Sequence, residues 1–225
     1  MSRIRTLLAD DHTIVREGLR ALLLADAGIE VVGEAVNGRE AVELATALRP
    51  DVVVMDIAMP SLNGLEATSR ILADLPKTKV IILSAHSDDA YIDRVIAIGA
   101  AGFLIKQTSA QILARAIHEV IGGKTFYSPL VAKRLRDHYD KPSRAGGLTI
   151  RKATGLTARE MEVIQLVAEG QANKQVAAEL NISIKTVEKH RQHLMDKLNI
   201  HDTAGLTRYA IAQGIIESSV HVTII

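Results

Sequence analysis

The chain has 225 residues, 48% of them hydrophobic and 24% charged, which is enough apolar material for one large or two small cores and too much for a disordered tail. It has no Cys, which excludes a disulfide scaffold, an iron–sulfur cluster, a thiolate zinc site and a cysteine nucleophile. The net charge of +1 hides an asymmetry, because residues 1–123 hold 12 basic and 16 acidic side chains, 124–150 hold 6 and 2, and 151–225 hold 9 and 8. Two modules joined by a basic bridge are expected, with an anionic partner for the second.

The apolar run near the start is short and meets two acids at Asp10 and Asp11, so no signal peptide is read there. No stretch reaches the roughly 20 apolar residues that a membrane helix needs. The chain is therefore expected to be soluble and intracellular.

Along residues 1–123, short apolar runs alternate with amphipathic stretches. The runs are Ile4–Ala9, 29–32, 52–55, 80–83 and Gly102–Ile105. The helical patterns lie near 13–26, 38–48, 65–74, 88–98 and 109–122. Continuous apolar strands alternating with helices predict a doubly wound α/β domain with a five-stranded parallel sheet covered on both faces. Ligands bind such a sheet at the C-terminal ends of its strands.

The polar residues at those ends form a set. Strand one runs into Asp10-Asp11, strand three into Asp56, strand four into Ser84 and strand five into Lys106. Taken singly, each is an ordinary helix cap or loop residue. Together, three carboxylates at one sheet edge need a cation, and an all-oxygen set suits Mg²⁺. A carboxylate beside Mg²⁺ is a potential nucleophile toward phosphorus, with Lys106 and Ser84 available to phosphoryl oxygens.

Four motifs resemble the receiver domain of bacterial response regulators. They are Ala9-Asp-Asp-His12, Met55-Asp-Ile-Ala-Met-Pro60 with Gly64, Leu83-Ser-Ala85 and Gly99-Ala-Ala-Gly-Phe-Leu-Ile-Lys106. The resemblance implies that Asp56 accepts a phosphoryl group from a histidine kinase. Asp10, Asp11 and Asp56 would hold Mg²⁺ with the backbone carbonyl of Ala58, while Ser84 and Lys106 would bind the phosphoryl group. Phe103 matches the aromatic switch position, with plain core filling as its other reading. His86, two residues past Ser84, reads as a loop histidine, with contact to the water that attacks the acyl phosphate as its other reading.

Gly122-Gly123 closes the last helical pattern. Residues 124–154 read as a linker, with a short helix over 130–138 and a flexible Ser143-Arg-Ala-Gly-Gly147. From 155 the pattern is helical only, as expected of a small all-α four-helix domain. Thr157-x-x-Glu160 is a capping box, and Gly170 stops the helix that follows. Helices are expected over 173–180, 184–198 and about 202–213. The second and third make a helix-turn-helix: Asn181 takes the left-handed turn, Ile182 plugs the corner and Ser183 caps the third helix. Val187, Leu194 and Leu198 line its inner face, and Lys185, Glu188, Lys189, Gln192 and Asp196 its outer one. A polar stripe is either a solvated face or one that enters a major groove. His190 and His193 have no third ligand nearby and are not read as a metal site.

Gly155-Leu-Thr-Ala-Arg-Glu160, Leu166-Val-Ala-Glu-Gly170, Asn173-Lys174, Ala177-x-x-Leu180 and Lys185-Thr-Val-Glu-Lys-His-Arg191 with Lys197-Leu198 resemble the LuxR-type DNA-binding domain. With the receiver, this is the architecture of NarL/FixJ-type response regulators. The resemblance implies base contacts from Glu188, Lys189 and Gln192, and phosphate contacts from Lys174, Lys185, Thr186, Arg191 and Lys197. It places a dimer surface on the last helix and implies a cytoplasmic homodimer on promoter DNA, with RNA polymerase a possible further partner. Residues 155–225 would be this domain; the apolar tail 220–225 fits no motif.

Two other classes compete with this one. An aspartyl-nucleophile phosphatase typically carries a second acid two residues after the nucleophile, and Ala58 stands there. A receiver that no longer signals would not need the intact set of Asp11, Asp56, Ser84 and Lys106.

Overall fold

The computed structural model describes residues 3–85, 94–106, 110–127, 132 and 155–216. His86, the helical pattern at 88–93, the short helix read at 130–138, the flexible stretch up to 154 and the tail 220–225 lie outside these residues. The chain divides into two compact units, Met1–Thr154 and Gly155–Ile225.

In the first unit, β1 (Ile4–Ala9), β2 (Ile29–Ala35), β3 (Val52–Asp56), β4 (Lys79–Ser84), β5 (Gly102–Ile105) and β6 (Phe126–Tyr127) form one sheet in the order β2-β1-β3-β4-β5-β6. Every neighbouring pair is parallel. Successive side chains of a strand point to opposite faces, and both faces are apolar. Leu7, Val53, Met55, Val80, Ile82 and Phe103 point to one face. There they meet Ala41 and Ala45 of α2 (Gly38–Leu48) and Leu65 and Ile71 of α3 (Gly64–Asp74). Leu8, Val52, Val54, Ile81, Leu83 and Leu104 point to the other. That face is covered by Leu23 of α1 (Thr13–Leu24) and by Leu113, Ala116, Ile117 and Val120 of α4 (Ala110–Ile121). Between β4 and β5 the described residues include a helical turn at 94–97.

The sheet has a sixth strand that the five-run sequence pattern lacks. Phe126-Tyr127 lies inside the segment read as linker, yet it pairs with β5 and donates from Phe126 N to the carbonyl of Ala101 at 2.9 Å. β2 is also longer than the apolar run 29–32, continuing through Gly33 and Glu34 to Ala35. Both differences fall on the sheet edges, where one side of the strand is open and an unbroken apolar run is not required.

In the second unit, α5 (Ala158–Ala168), α6 (Asn173–Glu179), α7 (Ile184–Leu198) and α8 (Thr203–Ala212) close around one core. Val163, Ile164, Leu166, Val176, Val187, Leu194, Leu206 and Ala210 form its centre. The expected local signals are present. Thr157 and Glu160 make the reciprocal capping box. Gly170 is left-handed at φ 86°, and Asn181 takes φ 50° between α6 and α7. The side chain of Ser183 accepts from the Thr186 amide at 3.1 Å.

Candidate functional site

The parallel register sets the first site. Asp56 ends β3 opposite Leu83, and Ser84 ends β4 opposite Ile105, so Asp56, Ser84 and Lys106 leave three adjacent strands at one edge. Asp10 follows β1, the other neighbour of β3. Asp10, Asp56 and Ser84 are buried.

Lys106 draws the set together. Its Nζ lies 2.7 Å from Asp56 Oδ2 and 2.9 Å from Asp10 Oδ2. The contact to Asp56 is a hydrogen bond; the one to Asp10 is an ion contact, and Asp10 Oδ2 and Asp11 Oδ1 are buried without accepting a hydrogen bond. Asp10, Asp11, His12 and Asp56 each bring a ligand atom within 4.8 Å of the others. Carboxylate oxygens clustered this tightly, with one lysine shared between two of them, fit a hard divalent cation. Ala58, whose carbonyl the receiver resemblance makes a further ligand, sits half-buried in the loop that follows Asp56.

The electrostatics follow from this crowding. Burial pushes the Asp56 carboxyl up to about 7; Lys106 opposes the shift, while Asp10 and Asp11 add to it. Burial alone would lower the Lys106 ammonium, but the Asp56 and Asp10 carboxylates outweigh it and hold it above its ordinary value.

Two supports of this site lie outside the set of strand-end residues. The Arg16 guanidinium donates from Nη1 to the carbonyl of Asp10 at 2.8 Å, and its Nε pairs with Glu34 at 3.2 Å. That fixes the strand end against α1 and β2. His12, singled out only within its motif, places Nδ1 2.8 Å from Asp11 Oδ1. Gly64 was visible as a motif residue, and the structure gives the reason for it. A Cβ there would lie 1.8 Å from the Asp56 carbonyl oxygen, so only glycine lets α3 start this close to β3. Phe103 is fully buried, in the cluster that also packs against Tyr127, its register partner on β6.

The second site is the outer face of α7. Lys185, Glu188, Lys189, Gln192 and Asp196 are exposed along it, and Lys174 is exposed on α6. Gln192 donates to Asp196 Oδ1 at 2.8 Å. The hydroxyls of Thr186 and Ser183 are bonded at 2.8 Å. Arg191 and Lys197 have partners within the domain. Arg191 donates from Nη1 to Asn173 Oδ1 at 2.7 Å and from Nη2 to Thr203 Oγ1 at 3.1 Å. Lys197 Nζ donates to Glu160 Oε2 at 2.6 Å.

A phosphoryl-type acidic edge on a doubly wound sheet, followed by a helix-turn-helix, defines a class of switchable DNA-binding regulator. Known proteins agree with it. Residues 6–118 match the response regulator receiver domain family, and residues 154–210 match the bacterial regulatory proteins of the luxR family. The response regulator protein VraR of Staphylococcus aureus is 34% identical over 214 residues, which cover 95% of this chain and 99% of that protein. The crystal structure of the response regulator ChrA, from a heme-sensing two-component system, is 34% identical, covers 96% of this chain and 100% of its own, and superposes with a TM-score of 0.52. RcsB from Salmonella enterica serovar Typhimurium, bound to promoter rprA in the presence of a beryllofluoride phosphomimetic, is 26% identical over 92% of this chain and 98% of its own, with a TM-score of 0.58. The chain belongs to the response regulators that join a receiver domain to a LuxR-type DNA-binding domain. It is a DNA-binding transcriptional regulator and not an enzyme.

Proposed function

We propose that Asp56 is the phosphoacceptor of a two-component system and that its modification controls promoter binding by α7. The observation that carries the reading is the Lys106 ammonium held between Asp56 and Asp10 at the strand ends. A carboxylate oxygen of Asp56 attacks the phosphorus of a kinase phosphohistidine. The P–N bond breaks, its electron pair returns to the imidazole, and an acyl phosphate forms on Asp56. Lys106 leaves its bond with Asp56 to meet a phosphoryl oxygen, and the Ser84 hydroxyl donates to another. Asp10, Asp11, Asp56 and the Ala58 carbonyl would hold Mg²⁺, which when bound supplies positive charge to the transferring phosphoryl oxygens. Phe103, packed in the core beside Tyr127, is the residue whose rotation would report the change.

The domain boundaries follow the same reading, with residues 1–123 as receiver, 124–154 as linker except for Phe126–Tyr127, which pair with the receiver sheet, and 155–225 as DNA-binding domain. Lys174, Lys185 and Thr186 face phosphates, and Glu188, Lys189 and Gln192 face base edges in a major groove. Arg191 and Lys197 enter that complex already bonded within the domain. One such module makes few contacts, so pairing two copies on adjacent half-sites raises effective affinity by orders of magnitude. Among the described residues no helix is long and apolar enough to cross a membrane. A cytoplasmic protein that answers a histidine kinase and pairs on DNA, with RNA polymerase a possible further partner, is the setting this function needs.

The test is sedimentation velocity with and without Mg²⁺ plus beryllofluoride, with Asp56→Ala as control. A monomer-to-dimer shift in the wild type alone supports Asp56 as the switch and pairing as its output. An identical response from Asp56→Ala would remove Asp56 from its role. If neither protein shifts, a DNA titration under the same two conditions decides between release of the DNA-binding domain within a monomer and a receiver that does not respond.

A further inference from the structure

The outer face of α7 is electrically thin. Lys185 and Lys189 are balanced by Glu188 and Asp196 on the same exposed stripe. Two more cations on this helix, Arg191 and Lys197, would double its positive charge if both were offered to DNA, but the structure uses them otherwise. Arg191 spans three helices. From α7 its guanidinium fork reaches Asn173, the first residue of α6, and Thr203, the first residue of α8. The planar fork suits this, because two donors at a fixed spacing hold two helix N-termini at once. Lys197 is seated by a carboxylate that is itself fixed: Glu160 is 3% exposed, and its Oε2 also accepts from the Thr157 amide at 2.8 Å. Lys197 therefore closes the C-terminal end of α7 onto the capping box that starts α5. The two cations act at different ends of the recognition helix, and together they reach α5, α6 and α8.

We infer that Arg191 and Lys197 are positioning residues that hold the recognition helix α7 in place against α5, α6 and α8, and are not contacts to DNA phosphates. The inference rests on the DNA-binding reading above and deepens it. It reduces the module's phosphate-facing cations to Lys174 and Lys185. It also gives a buried carboxylate outside the recognition stripe, Glu160, a part in DNA affinity.

The sign of one substitution separates the two roles. If Lys197 contacts a phosphate, Glu160 competes with DNA for it, and Glu160→Gln tightens binding. If Lys197 is a positioning residue, Glu160→Gln removes the ionic half of its seat and weakens binding. Gln at this place still completes a capping box, so the variant keeps its helix start. The probe is a fluorescein-labelled mixed-sequence duplex titrated with the full-length protein in Mg²⁺ and beryllofluoride, across a series of salt concentrations. Each phosphate contact contributes a slope of about 0.9 in log K against log salt. Lys174→Met and Lys185→Met should each flatten the slope by about that amount per module. Lys197→Met, Glu160→Gln, Arg191→Met and Asn173→Ala should each weaken binding by about threefold to tenfold at unchanged slope, toward the low end for residues coupled in one network. The double variant Glu160→Gln/Lys197→Met should bind no worse than Lys197→Met alone.

Tighter binding by Glu160→Gln, a flatter slope for Lys197→Met or Arg191→Met, or unchanged affinity in all four would overturn the inference. A wild type that binds no duplex at all would instead overturn the DNA-binding reading on which it rests.

Discussion

Each unit of this protein contains a lysine seated on a buried carboxylate, and the two pairs behave in opposite ways. In the receiver unit the Asp56 carboxyl is pushed up to about 7 even though Lys106 lies 2.7 Å away. In the helical unit Glu160, with Lys197 at 2.6 Å, is held below its ordinary value. Burial opposes ionisation in both. The difference is what surrounds the carboxylate. Glu160 accepts from a backbone amide and has one cation of its own. Asp56 shares its lysine with Asp10 and faces a second like charge at Asp11. One pair is complete within the protein. The other is left short of positive charge, which is how a site built for a cation and a phosphoryl group differs from a structural bridge.

The largest expected effect comes from the residue that lets the receiver site close. Gly64→Ala would place a Cβ 1.8 Å from the Asp56 carbonyl oxygen and 3.0 Å from Met55. The neighbour is backbone at the phosphoacceptor itself and cannot swing aside. A loss of about 3 kcal/mol, the upper range for overpacking, is expected in thermal unfolding of the receiver unit. Beryllofluoride binding should fall with it, while the unfolding of the second unit stays unchanged. Wild-type stability in the variant would mean that the loop after Asp56 moves freely, and the contrast of a rigid acidic site with a rigid bridge would fail.

Next is the pH response of the crowded pair. The folded Asp56 titrates near 7 and its unfolded counterpart near 3.8, so the folded receiver holds an extra proton between these values. Stability from this group is fully present below the unfolded value and is lost as pH rises through the folded one. Metal-free protein should therefore lose roughly 2–3 kcal/mol from this group between pH 5 and pH 8. Asp56→Asn should remove that slope and be the more stable protein at pH 8, as read by denaturant unfolding in chelator. Mg²⁺ should bind more tightly as pH rises through about 7, because proton and cation compete for the same carboxylate. A flat wild-type profile would place Asp56 and Glu160 in the same electrostatic class.

Central strands were legible in full and edge strands only in part: β2 was visible over 29–32, and β6 not at all. Val52–Asp56 and Lys79–Ser84 are covered on both faces, so burial forces a continuous apolar run that a reader can see. β2 carries Glu30, Gly33 and Glu34 and β6 is two residues long, because an edge strand owes the core less. The acidic set was legible for the same reason, since each member directly follows a readable strand. Lys106 is placed by the same rule, but its two-carboxylate seat depends on distances that no spacing encodes. In the helical unit the caps at Thr157, Ser183 and Asn181 are local, and local chemistry is visible in sequence. The partners of Arg191 and Lys197 are 12–37 residues away, and a cation on an exposed-looking helix face reads the same whether it meets DNA or a neighbouring helix.

A smaller effect sharpens the complete pair. Glu160→Ala removes one half of the capping box and leaves the Lys197 ammonium without its carboxylate. A loss of about 1–2 kcal/mol is expected, confined to the second unit. The pH sign is opposite to that of Asp56. Glu160 is held below its ordinary value, so its contribution is present at neutral pH and is lost as pH falls through the acidic range. Differential scanning calorimetry at pH 7 and pH 4 should show wild type and variant converging at the lower pH. Convergence at the higher pH instead would reverse the assignment of which carboxylate is satisfied.

The smallest effect tests whether a close cation is enough by itself. Asp26 accepts from His118 Nε2 at 2.9 Å, joining the end of α1 to α4, and this bond, with one from the Gly28 amide, holds its carboxyl below the ordinary value. By distance the pair resembles the other two, but the Asp26 side chain is 30% exposed where those of Glu160 and Asp56 are 5% and 2%. Water already reaches both groups, so forming the contact relieves little. His118→Ala should cost at most about 0.5 kcal/mol, with most of that removed by added salt. Chemical denaturation at low and high ionic strength reads both numbers. The sign of the Asp26 term is that of Glu160, present above the ordinary carboxylate range and lost below it. A cost near that of Glu160→Ala would show that contact distance alone sets the strength of these pairs. A small, salt-sensitive cost would show that burial of the carboxylate gives such a pair its strength, and would leave the number of carboxylates sharing each cation as what separates the switch from the bridge.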